Sequence, residues 1–381
     1  MKNIRIGRRA ALAGGVAALA SPAVVRAQAD PIKLATLTPL TGAGGPYGPV
    51  MAKAAASVVE EVNKAGGVLG RRIVLVSEDD QTNPEAAVRA ARKLIDVDKV
   101  SAIMGTWASS VTTAVAPLCW ESKTFLCTVS GADSITQLPH QGFLIRTQPN
   151  SKLQVTRVGE FILSLGAKKA FTMIPQTPFT QSTFDVLNQV LPKGGCTHQS
   201  LIYDDKKTTY RTEVDQALRT SPDVILANGY TPDTVVLLKD LYRAGFKGKI
   251  LGFAYSINQK LVDQVGQPEV VEGVYTFAPS PAEGSSAFEK VKAASGSANP
   301  DPYTCQVYDH INLVLMAIAN GKAATGEAIK ENIRKATVSG GKVDYAGASG
   351  PCDFDEKGDI LDCKFRYDQI KAGKFTLVKI A

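Results

Sequence analysis

Short β-rich segments alternate with amphipathic helical segments along most of this sequence, and that alternation limits the folds available to it. Ile32–Leu37 is an apolar strand, and Met51–Val62 then repeats apolar residues at helical spacing. Asn83-Pro84-Glu85 supplies a cap, a proline and an early acid in the order that favours a helix start. Val100–Met104 and Thr124–Val129 continue the series of strands. Such alternation predicts parallel sheets covered by helices.

The same alternation begins again after residue 150. Val155–Leu165 has a helical apolar face, and Ala170–Ile174 is the next strand. The further strands predicted in this half are Ser200–Tyr203, Val224–Ala227, Ile250–Phe253 and Val274–Phe277. Two arrays of about 120 residues predict two similar lobes rather than one large sheet.

The C-terminal part is too small for a third domain. A long helix is predicted over Tyr303–Asn320, followed by a hairpin and a last strand, Phe375–Ile380. We expect this tail to return to both lobes, with several crossovers that act as a hinge. The predicted division is 1–29 for an export signal, 30–149 plus 279–343 for lobe 1, and 150–278 plus 344–381 for lobe 2.

Residues 1–29 have the composition of an export signal. Basic residues precede an apolar stretch, Ala10–Ala20, of the length of a signal-peptide core. The Ala27-Gln28-Ala29 triplet favours cleavage before residue 30, and an alternative cut lies two residues earlier. Arg8-Arg9 resembles a twin-arginine signal, although an ordinary secretory signal with two arginines is the alternative. The expected location is the periplasm.

Charge and length restrict the remaining chain further. Removing 1–29 removes five basic residues and no acidic ones, so the net charge falls from +7 to +2. No cluster of lysine and arginine remains of the kind that nucleic-acid binding requires. About 350 residues exceed one typical domain. We expect a monomer that binds no nucleic acid.

Six cysteines in an exported chain can form disulfides. Cys352 and Cys363 flank a segment in which a central two-residue turn would place them directly opposite, which predicts a disulfide unless the hairpin register slips by one residue. A bridge between Cys119 and Cys127, on a helix end and the following strand, is a further possibility. The thiols expected to be buried and free are Cys196 and Cys305. No cysteine or histidine spacing typical of a zinc site occurs.

Ligands of parallel α/β sheets bind beyond the carboxyl ends of the strands. The loop after the third strand, 105–110, runs directly into a helix, and N–H groups at a helix N-terminus suit a carboxylate. Ser109 in this loop is a candidate ligand-binding residue, or only the helix N-cap. After the fourth strand, Ser130 and Gly131 are small enough for close approach of a ligand. The alternative is that Gly131 serves only a backbone conformation.

Two other classes of protein fit the sequence poorly. The glycine-rich loop 42–48 lacks nucleotide-binding spacing, because Tyr47 stands where GxGxxG requires glycine, and a Walker lysine is absent. The three histidines, His140, His198 and His310, lie in no nucleophile or metal motif, and no GxSxG elbow occurs. The sequence predicts a protein that is not an enzyme and needs no cofactor or metal.

Seven segments carry a family resemblance: TPLTGAGGPYG, NKAGGVLGR, EDDQTNPEAAVRAARKLI, GTWASS, SGADSIT, YDHINLVLMAI and CDFDEKGDI. Through them the chain resembles the type I periplasmic solute-binding proteins of ABC transporters, specifically the branched-chain amino-acid (Leu/Ile/Val-binding-like) family. The resemblance covers nearly all of residues 30–381. It implies an α/β fold of two Rossmann-like lobes with parallel sheets, joined by a hinge.

The resemblance also implies a set of binding residues. In that family, loops of the first lobe hold the ligand's carboxylate and amine, one aromatic side chain walls the pocket, and second-lobe aromatics close over the ligand. The positions of this sequence that match are Ser109, Val129, Ser130 and Gly131 for the loops, Tyr47 for the wall, and Phe179 and Tyr230 for closure.

One position departs from the family pattern. Ala254 stands where amino-acid-binding members place a carboxylate against the ligand's ammonium group. Trp107 and Tyr255 would add to an aromatic pocket, unless they only pack the lobes. An unpaired buried ammonium costs several kcal/mol, so we expect a carboxylate ligand without an α-amine, such as an aromatic or aliphatic acid.

The function expected from the sequence is that of the periplasmic substrate-binding component of an ABC importer. Its partners would be a small carboxylate-bearing solute, an amino acid or an aromatic or aliphatic acid, and an ABC transporter permease. The alternative is a ligand-sensing partner of a membrane receptor with the same fold, which the sequence does not separate from uptake.

Overall fold

The computed structural model describes residues 30–337 and 345–381. The predicted export signal, 1–29, lies outside the described residues. Two groups of strands alternate with helices in the described chain. The strands are β1 Ile32–Thr38, β2 Ile73–Asp79, β3 Ala102–Thr106, β4 Phe125–Thr128, β5 Leu144–Arg146, β6 Lys169–Pro175, β7 Thr197–Tyr203, β8 Val224–Ala227, β9 Lys249–Phe253, β10 Tyr275–Pro279, β11 Phe365–Lys371 and β12 Lys374–Ile380. The helices are α1 Gly48–Lys64, α2 Pro84–Arg92, α3 Ser109–Glu121, α4 Ser151–Ser164, α5 Pro178–Val190, α6 Arg211–Leu218, α7 Thr231–Arg243, α8 Gln259–Val265, α9 Pro268–Val271, α10 Ser286–Ser295, α11 Pro302–Gly321 and α12 Gly326–Thr337.

The first lobe is built on a five-stranded sheet in the order β2-β1-β3-β4-β5, and every pairing in it is parallel. The apolar face predicted for the first helix is buried, with Met51, Ala54 and Val58 in the core. The predicted cap is also present, because the Ala86 amide donates to Asn83 Oδ1 at 2.9 Å. The first two helices therefore have the buried face and the cap that the sequence predicted.

The second lobe is built on a seven-stranded sheet in the order β12-β11-β10-β9-β8-β6-β7. Strands β6 to β10 are parallel, whereas β11 and β12 form an antiparallel hairpin on the edge. The predicted α/β class with two lobes is confirmed. No helix within 30–337 or 345–381 is long and apolar enough to cross a membrane.

The described chain passes between the two lobes three times: after β5, after β10 and before β11. The last crossing differs from the predicted boundary at residue 344, because Ala348, Cys352, Phe354 and Ile360 pack in the core of the first lobe. The polypeptide enters the second sheet only at β11. The tail thus returns to both lobes, as expected, but about twenty residues later than predicted.

A buried ion pair anchors the first crossing to this returning segment. The Arg146 side chain is fully buried, and its Nε donates to Asp359 Oδ1 at 2.7 Å. Its Nη1 donates to the Ala132 carbonyl at 2.6 Å, and its backbone N–H donates to the Gly358 carbonyl. A buried guanidinium requires such partners, since an uncompensated buried charge is strongly destabilising.

The cysteines correct one expectation, because all six are free thiols. In the hairpin, Phe354 pairs with Ile360, and the Asp355 amide donates to the Asp359 carbonyl. This register has three residues in the turn instead of two, so Cys352 and Cys363 are not directly opposite. The possible Cys119–Cys127 bridge is also absent, and burial raises the pKa of the Cys119 thiol to about 12. The prediction of free thiols at Cys196 and Cys305 is confirmed.

Candidate ligand-binding site

A cavity lies between the lobes, and its empty space is about 520 Å³ when the part open to solvent is included. It opens at the carboxyl ends of β3, β4, β6, β8 and β9, where the sequence predicted a site. The residues that line it are Trp107, Ala108, Ser109, Val129, Gly131, Gln148, Gln154, Pro175, Thr177, Phe179, Asn228, Gly229, Tyr230, Tyr255 and Tyr303. None of these lining residues has an acidic or basic side chain.

The first-lobe wall contains the N-terminus of α3. Ala108 is the N-cap in an extended conformation, and no side chain caps this end of the helix. Ser109 is the first helical residue, so the alternative that Ser109 is only the N-cap is wrong. Its Oγ accepts a hydrogen bond from the Ala132 amide at 3.2 Å, which leaves the hydroxyl hydrogen for another acceptor. Uncapped N–H groups and a free hydroxyl hydrogen suit an anion.

The loop after β4 contributes two of its three predicted residues. Val129 and Gly131 line the cavity, whereas Ser130 does not. Ser130 is fully buried behind the loop, where its Oγ hydrogen-bonds to Thr112 Oγ1 at 2.6 Å and donates to the Trp107 carbonyl at 2.9 Å. Ser130 therefore stabilises the loop that carries Trp107 and does not itself line the cavity.

Gly131 sits where space is tight, and its backbone conformation is not unusual. Its φ is not among the positive values of the described glycines. A Cβ at this position would lie 3.1 Å from Phe179 Cε2 and 3.1 Å from Gln154 Nε2. The absence of a side chain thus lets two second-lobe residues approach the first lobe closely.

Tyr47 does not line the cavity, contrary to expectation. It stacks behind Trp107 with ring centroids 5.6 Å apart, and its hydroxyl donates to the Ala254 carbonyl at 2.9 Å. Asn258 Nδ2 donates to the same hydroxyl. Tyr47 is a first-lobe residue, and Ala254 and Asn258 belong to the second lobe, so this side chain joins the two lobes beside the cavity.

The second-lobe wall is aromatic. Phe179 comes from the start of α5, Tyr230 precedes α7, and Tyr255 follows β9. The ring centroid of Trp107 lies 5.5 Å from that of Tyr230 and 6.4 Å from that of Tyr255. The residues Trp107 and Tyr255 therefore pack across the lobes and also line the cavity.

The wall around Tyr230 and Tyr255 is uncharged. Burial raises the pKa of Tyr230 to about 12 and that of Tyr255 well above its usual range, so both hydroxyls stay neutral at physiological pH. Ala254 supplies only a backbone carbonyl, already bonded to Tyr47. Asp233 is turned away, since its carboxylate accepts from the Lys206 amide and the Tyr210 hydroxyl.

Sequence reasoning missed several polar residues of the cavity. Gln148 lies in the first crossing between lobes, and Gln154 lies on α4. Gln306 Nε2 donates to Gln148 Oε1 at 2.8 Å, and Gln148 Nε2 donates to Gln154 Oε1 at 3.1 Å. Asn228 directly follows β8. Its position after a strand end was the one sequence signal that could have identified it as a cavity residue.

No group of three or more His, Cys, Asp or Glu side chains in the described parts of the chain could hold a metal ion. The arrangement instead offers an anion-binding helix end, amide side chains and aromatic rings around one small cavity. These groups suit reversible binding of a small molecule.

Residues 31–374 match the periplasmic binding protein family. An amino acid binding protein of Pseudomonas aeruginosa is 26% identical over 364 residues, which cover 91% of this chain and 92% of that protein. A leucine binding protein of Thermotoga maritima has a similar structure, with a TM-score of 0.82, 24% identity and coverage of 92% of this chain and 98% of the other. A solute binding protein of an ABC transporter from Rhodopseudomonas palustris, in complex with benzoate, has a TM-score of 0.79 and 18% identity and covers 92% and 96%.

These matches bear out the family that the sequence segments indicated. The family consists of solute-binding proteins and is not a family of enzymes. This chain belongs to the periplasmic binding protein family, and its structural neighbours are type I members with two α/β lobes.

Proposed function

We propose that this protein is the periplasmic substrate-binding component of an ABC importer and that it binds a small carboxylic acid without an α-amino group. The observation that carries the proposal is the cavity itself: both lobes close it, an uncapped helix N-terminus forms one wall, and none of the lining residues is charged. The ligand's carboxylate would accept from Ser109 Oγ and from the first amides of α3.

The second lobe argues against an amino acid. An ammonium group buried beside Tyr230 and Tyr255 would meet no carboxylate among the residues that line the cavity, since Ala254 offers only its backbone and Asp233 faces the Lys206 amide. Burying an unpaired charge costs several kcal/mol in proteins. The free energy of binding of leucine or valine would be reduced by that amount.

The rings favour an aromatic acid over an aliphatic one. Trp107, Phe179, Tyr230 and Tyr255 surround the cavity with flat apolar faces, which pack against a planar ligand in offset or edge-to-face geometry. The Rhodopseudomonas palustris protein mentioned above has the same fold and holds benzoate, so the fold accommodates such a ligand in that protein.

The cycle follows from the two-lobed architecture. The open protein captures the carboxylate on α3, hinge motion at the three crossings brings the second-lobe rings over the ligand, and the closed form docks on a permease. Residues 1–29 would direct the chain to the periplasm, by the twin-arginine route if Arg8-Arg9 is recognised.

The test is the identity and selectivity of the bound molecule. Mass spectrometry of ligand released from the purified protein should recover a carboxylic acid without an α-amine. In calorimetry, benzoate should bind at least tenfold more tightly than leucine. Recovery of leucine or valine, or tighter binding of leucine, would contradict the proposed ligand class.

Uptake is separated from sensing by a transport assay. A deletion strain should lose uptake of the labelled ligand and regain it when the gene is restored. Normal uptake in the deletion strain, together with loss of a chemotactic or transcriptional response to the ligand, would favour a sensing partner of a membrane receptor.

A further inference from the structure

Two of the rings that line the cavity, those of Trp107 and Tyr255, each have one face covered by another ring. Tyr47 stacks on Trp107 with ring centroids 5.6 Å apart, and Phe253 stacks on Tyr255 with centroids 5.5 Å apart. Trp107 and Tyr255 line the cavity, whereas the two covering rings do not. The uncovered face of each lining ring is therefore the one available to a ligand. A ring face carries the negative part of the aromatic quadrupole.

The lining rings stand at large angles to one another, as the sides of a box do. Tyr255 is perpendicular to Phe179, with centroids 6.2 Å apart, and makes an angle of 83° with Trp107, with centroids 6.4 Å apart. Tyr303 makes an angle of 89° with Trp107. Several aromatic rings around one cavity form the kind of cage in which proteins bind quaternary ammonium groups.

The charged groups that act on Tyr230 are acidic. The pKa of Tyr230 is raised to about 12, first by burial and then by the negative charges of Asp205, Asp233 and Asp80. Asp80 contributes only in part, because burial raises its own pKa to about 7. Lys206 Nζ lies 3.5 Å from Asp205 and offsets its charge, but the lysine side chain is 85% exposed to solvent. The cage is therefore in a negative electrostatic environment, although none of its own side chains is charged.

A further carboxylate, that of Asp301, acts on Tyr303. Burial and then the charge of Asp301 raise the pKa of the Tyr303 hydroxyl. Asp301 is the N-cap of α11, and its carboxylate accepts hydrogen bonds from the Thr304 amide at 3.0 Å and from the Thr304 hydroxyl at 2.6 Å. These bonds fix the carboxylate before a ligand arrives, so its field requires no reorganisation of the protein.

A fully methylated nitrogen suits this cage, whereas a primary ammonium does not. The N–H groups of a primary ammonium lose their hydrogen bonds to water on burial, and no carboxylate among the lining residues replaces them. A quaternary nitrogen has no N–H group to satisfy, and its charge is spread over the attached carbon atoms. The faces of tryptophan and tyrosine rings attract such a cation directly.

We propose that the cavity binds an aromatic acid whose ring contains a quaternary nitrogen, a compound of the N-methylpyridinium carboxylate class. The carboxylate lies on the N-terminus of α3, and the cationic ring lies against the faces of Trp107, Tyr230 and Tyr255. This inference rests on the proposed function and makes it more specific, because such a compound is a carboxylic acid without an N–H-bearing α-amine.

The experiment is calorimetry with a matched pair of acids, N-methylisonicotinate and 4-methylbenzoate. Both have a flat six-membered ring with a carboxylate and a methyl group opposite it, and they differ only in whether a cationic nitrogen or a carbon carries that methyl group. The wild type should bind N-methylisonicotinate about tenfold more tightly, within the range for a desolvated cation over aromatic rings.

Equal affinity for the two acids, tighter binding of 4-methylbenzoate, or no binding of N-methylisonicotinate would overturn the inference. If benzoate or 4-methylbenzoate still binds in that case, the proposed function stands. Failure of all three acids to bind would contradict the proposed function as well.

Variants test whether the rings and the acidic surroundings cause the preference. Tyr230→Leu replaces a ring by an apolar side chain and should lower the ratio of the two affinities from about ten to about three or less, whereas Tyr230→Phe should keep most of it. Asp301→Asn keeps a side-chain acceptor at the N-cap but removes the charge, and should lower the ratio about twofold. Because both acids are measured on the same variant, a general loss of folded protein cancels from the ratio.

Tyr242→Leu is the matched control for Tyr230→Leu. Tyr242 also belongs to α7, but its side chain is 47% exposed and does not line the cavity, so its removal should leave the ratio unchanged. A ratio that stays near ten in Tyr230→Leu, or that falls equally in Tyr242→Leu, would overturn the assignment of the preference to the cage.

Discussion

The two walls of the cavity offer a ligand different kinds of contact. The first-lobe wall contains a helix end without a side-chain cap, the Ser109 hydroxyl and the small residue Gly131. The second-lobe wall contains the rings of Tyr230 and Tyr255 and no charged group. One wall provides electrostatic attraction for an anion, and the other provides shape and apolar area.

Under the proposed function, the first lobe would hold the carboxylate that all ligands share, and the second lobe would select among the acids that carry it. A carboxylate can be held by backbone N–H groups of α3 whatever is attached to it. Which acid fits then depends on the second lobe, where a single side chain can be exchanged without disturbing α3.

The largest expected effect follows from removing a ring of the second wall. Tyr255→Ala should weaken binding of benzoate by about 3 kcal/mol, within the range for truncating an aromatic side chain at the centre of a binding site. Tyr255→Phe keeps the ring and should stay within about 0.5 kcal/mol of wild type. Calorimetry measures both, and a loss of less than tenfold in Tyr255→Ala would mean that the rings do not select the ligand.

The first wall is tested by Ser109→Ala. Loss of a hydrogen bond to a charged group should reduce the free energy of binding by about 1.5–3 kcal/mol for any carboxylate, aromatic or not. Ser110→Ala, one residue further along α3, does not change a lining residue and serves as the matched control. Unchanged affinity in Ser109→Ala would place the carboxylate elsewhere.

Two buried acids, Asp80 in the first lobe and Asp233 in the second, differ in how their carboxylates are satisfied. Asp233 accepts two hydrogen bonds, whereas Asp80 accepts one from the Thr82 amide and its Oδ2 has no partner in the described chain. Burial raises the pKa of Asp80 to about 7. Its protonated form therefore contributes stability below about pH 4, and that contribution is lost as the pH rises through about 7.

Asp80→Asn removes this titration. Relative to wild type, the variant should be more stable at pH 8 than at pH 5. The difference between the two free energies of unfolding should rise by at least ~1.4 kcal/mol, the free energy of a tenfold change in an ionisation constant. Urea unfolding at the two pH values measures it. A difference that does not change with pH would show that the ionised Asp80 carboxylate is not destabilised in the folded state.

The smallest expected effect concerns the contact that joins the walls. Tyr47→Phe removes the hydroxyl that donates to the Ala254 carbonyl, and closure should weaken by about 1 kcal/mol for every ligand alike. Tyr367→Phe removes a comparable bond to the Arg157 carbonyl inside the second lobe, so it should lower stability without changing affinity. A ligand-dependent effect of Tyr47→Phe would mean that Tyr47 contacts the ligand.

Much of the fold could be predicted because each element has a local pattern. The parallel strands are apolar runs, and Asn83 marks a helix start that the structure contains. The strand β5 was missed because three residues carry no periodicity. The hairpin register depends on whether its turn has two or three residues, which the flanking cysteines do not reveal.

The site could be predicted only in part, for a related reason. Trp107 and Ser109 follow a strand directly, so their position at the ligand edge was evident. The sequence does not indicate which side of a loop a small polar residue faces, and Ser130 faces the interior. Gln148 and Tyr303 come from a crossing and from the start of α11, and they reach the cavity only through tertiary packing.

The absence of charged side chains from the cavity wall has a kinetic consequence. An anion held by backbone dipoles and a hydroxyl has no ion pair to break before it leaves, so its departure requires only that the lobes part. The dissociation rate of the cargo should then depend weakly on salt concentration, since screening acts chiefly on interactions between full charges. A permease that separates the lobes would then release the bound anion without providing a charged group to replace an ion pair.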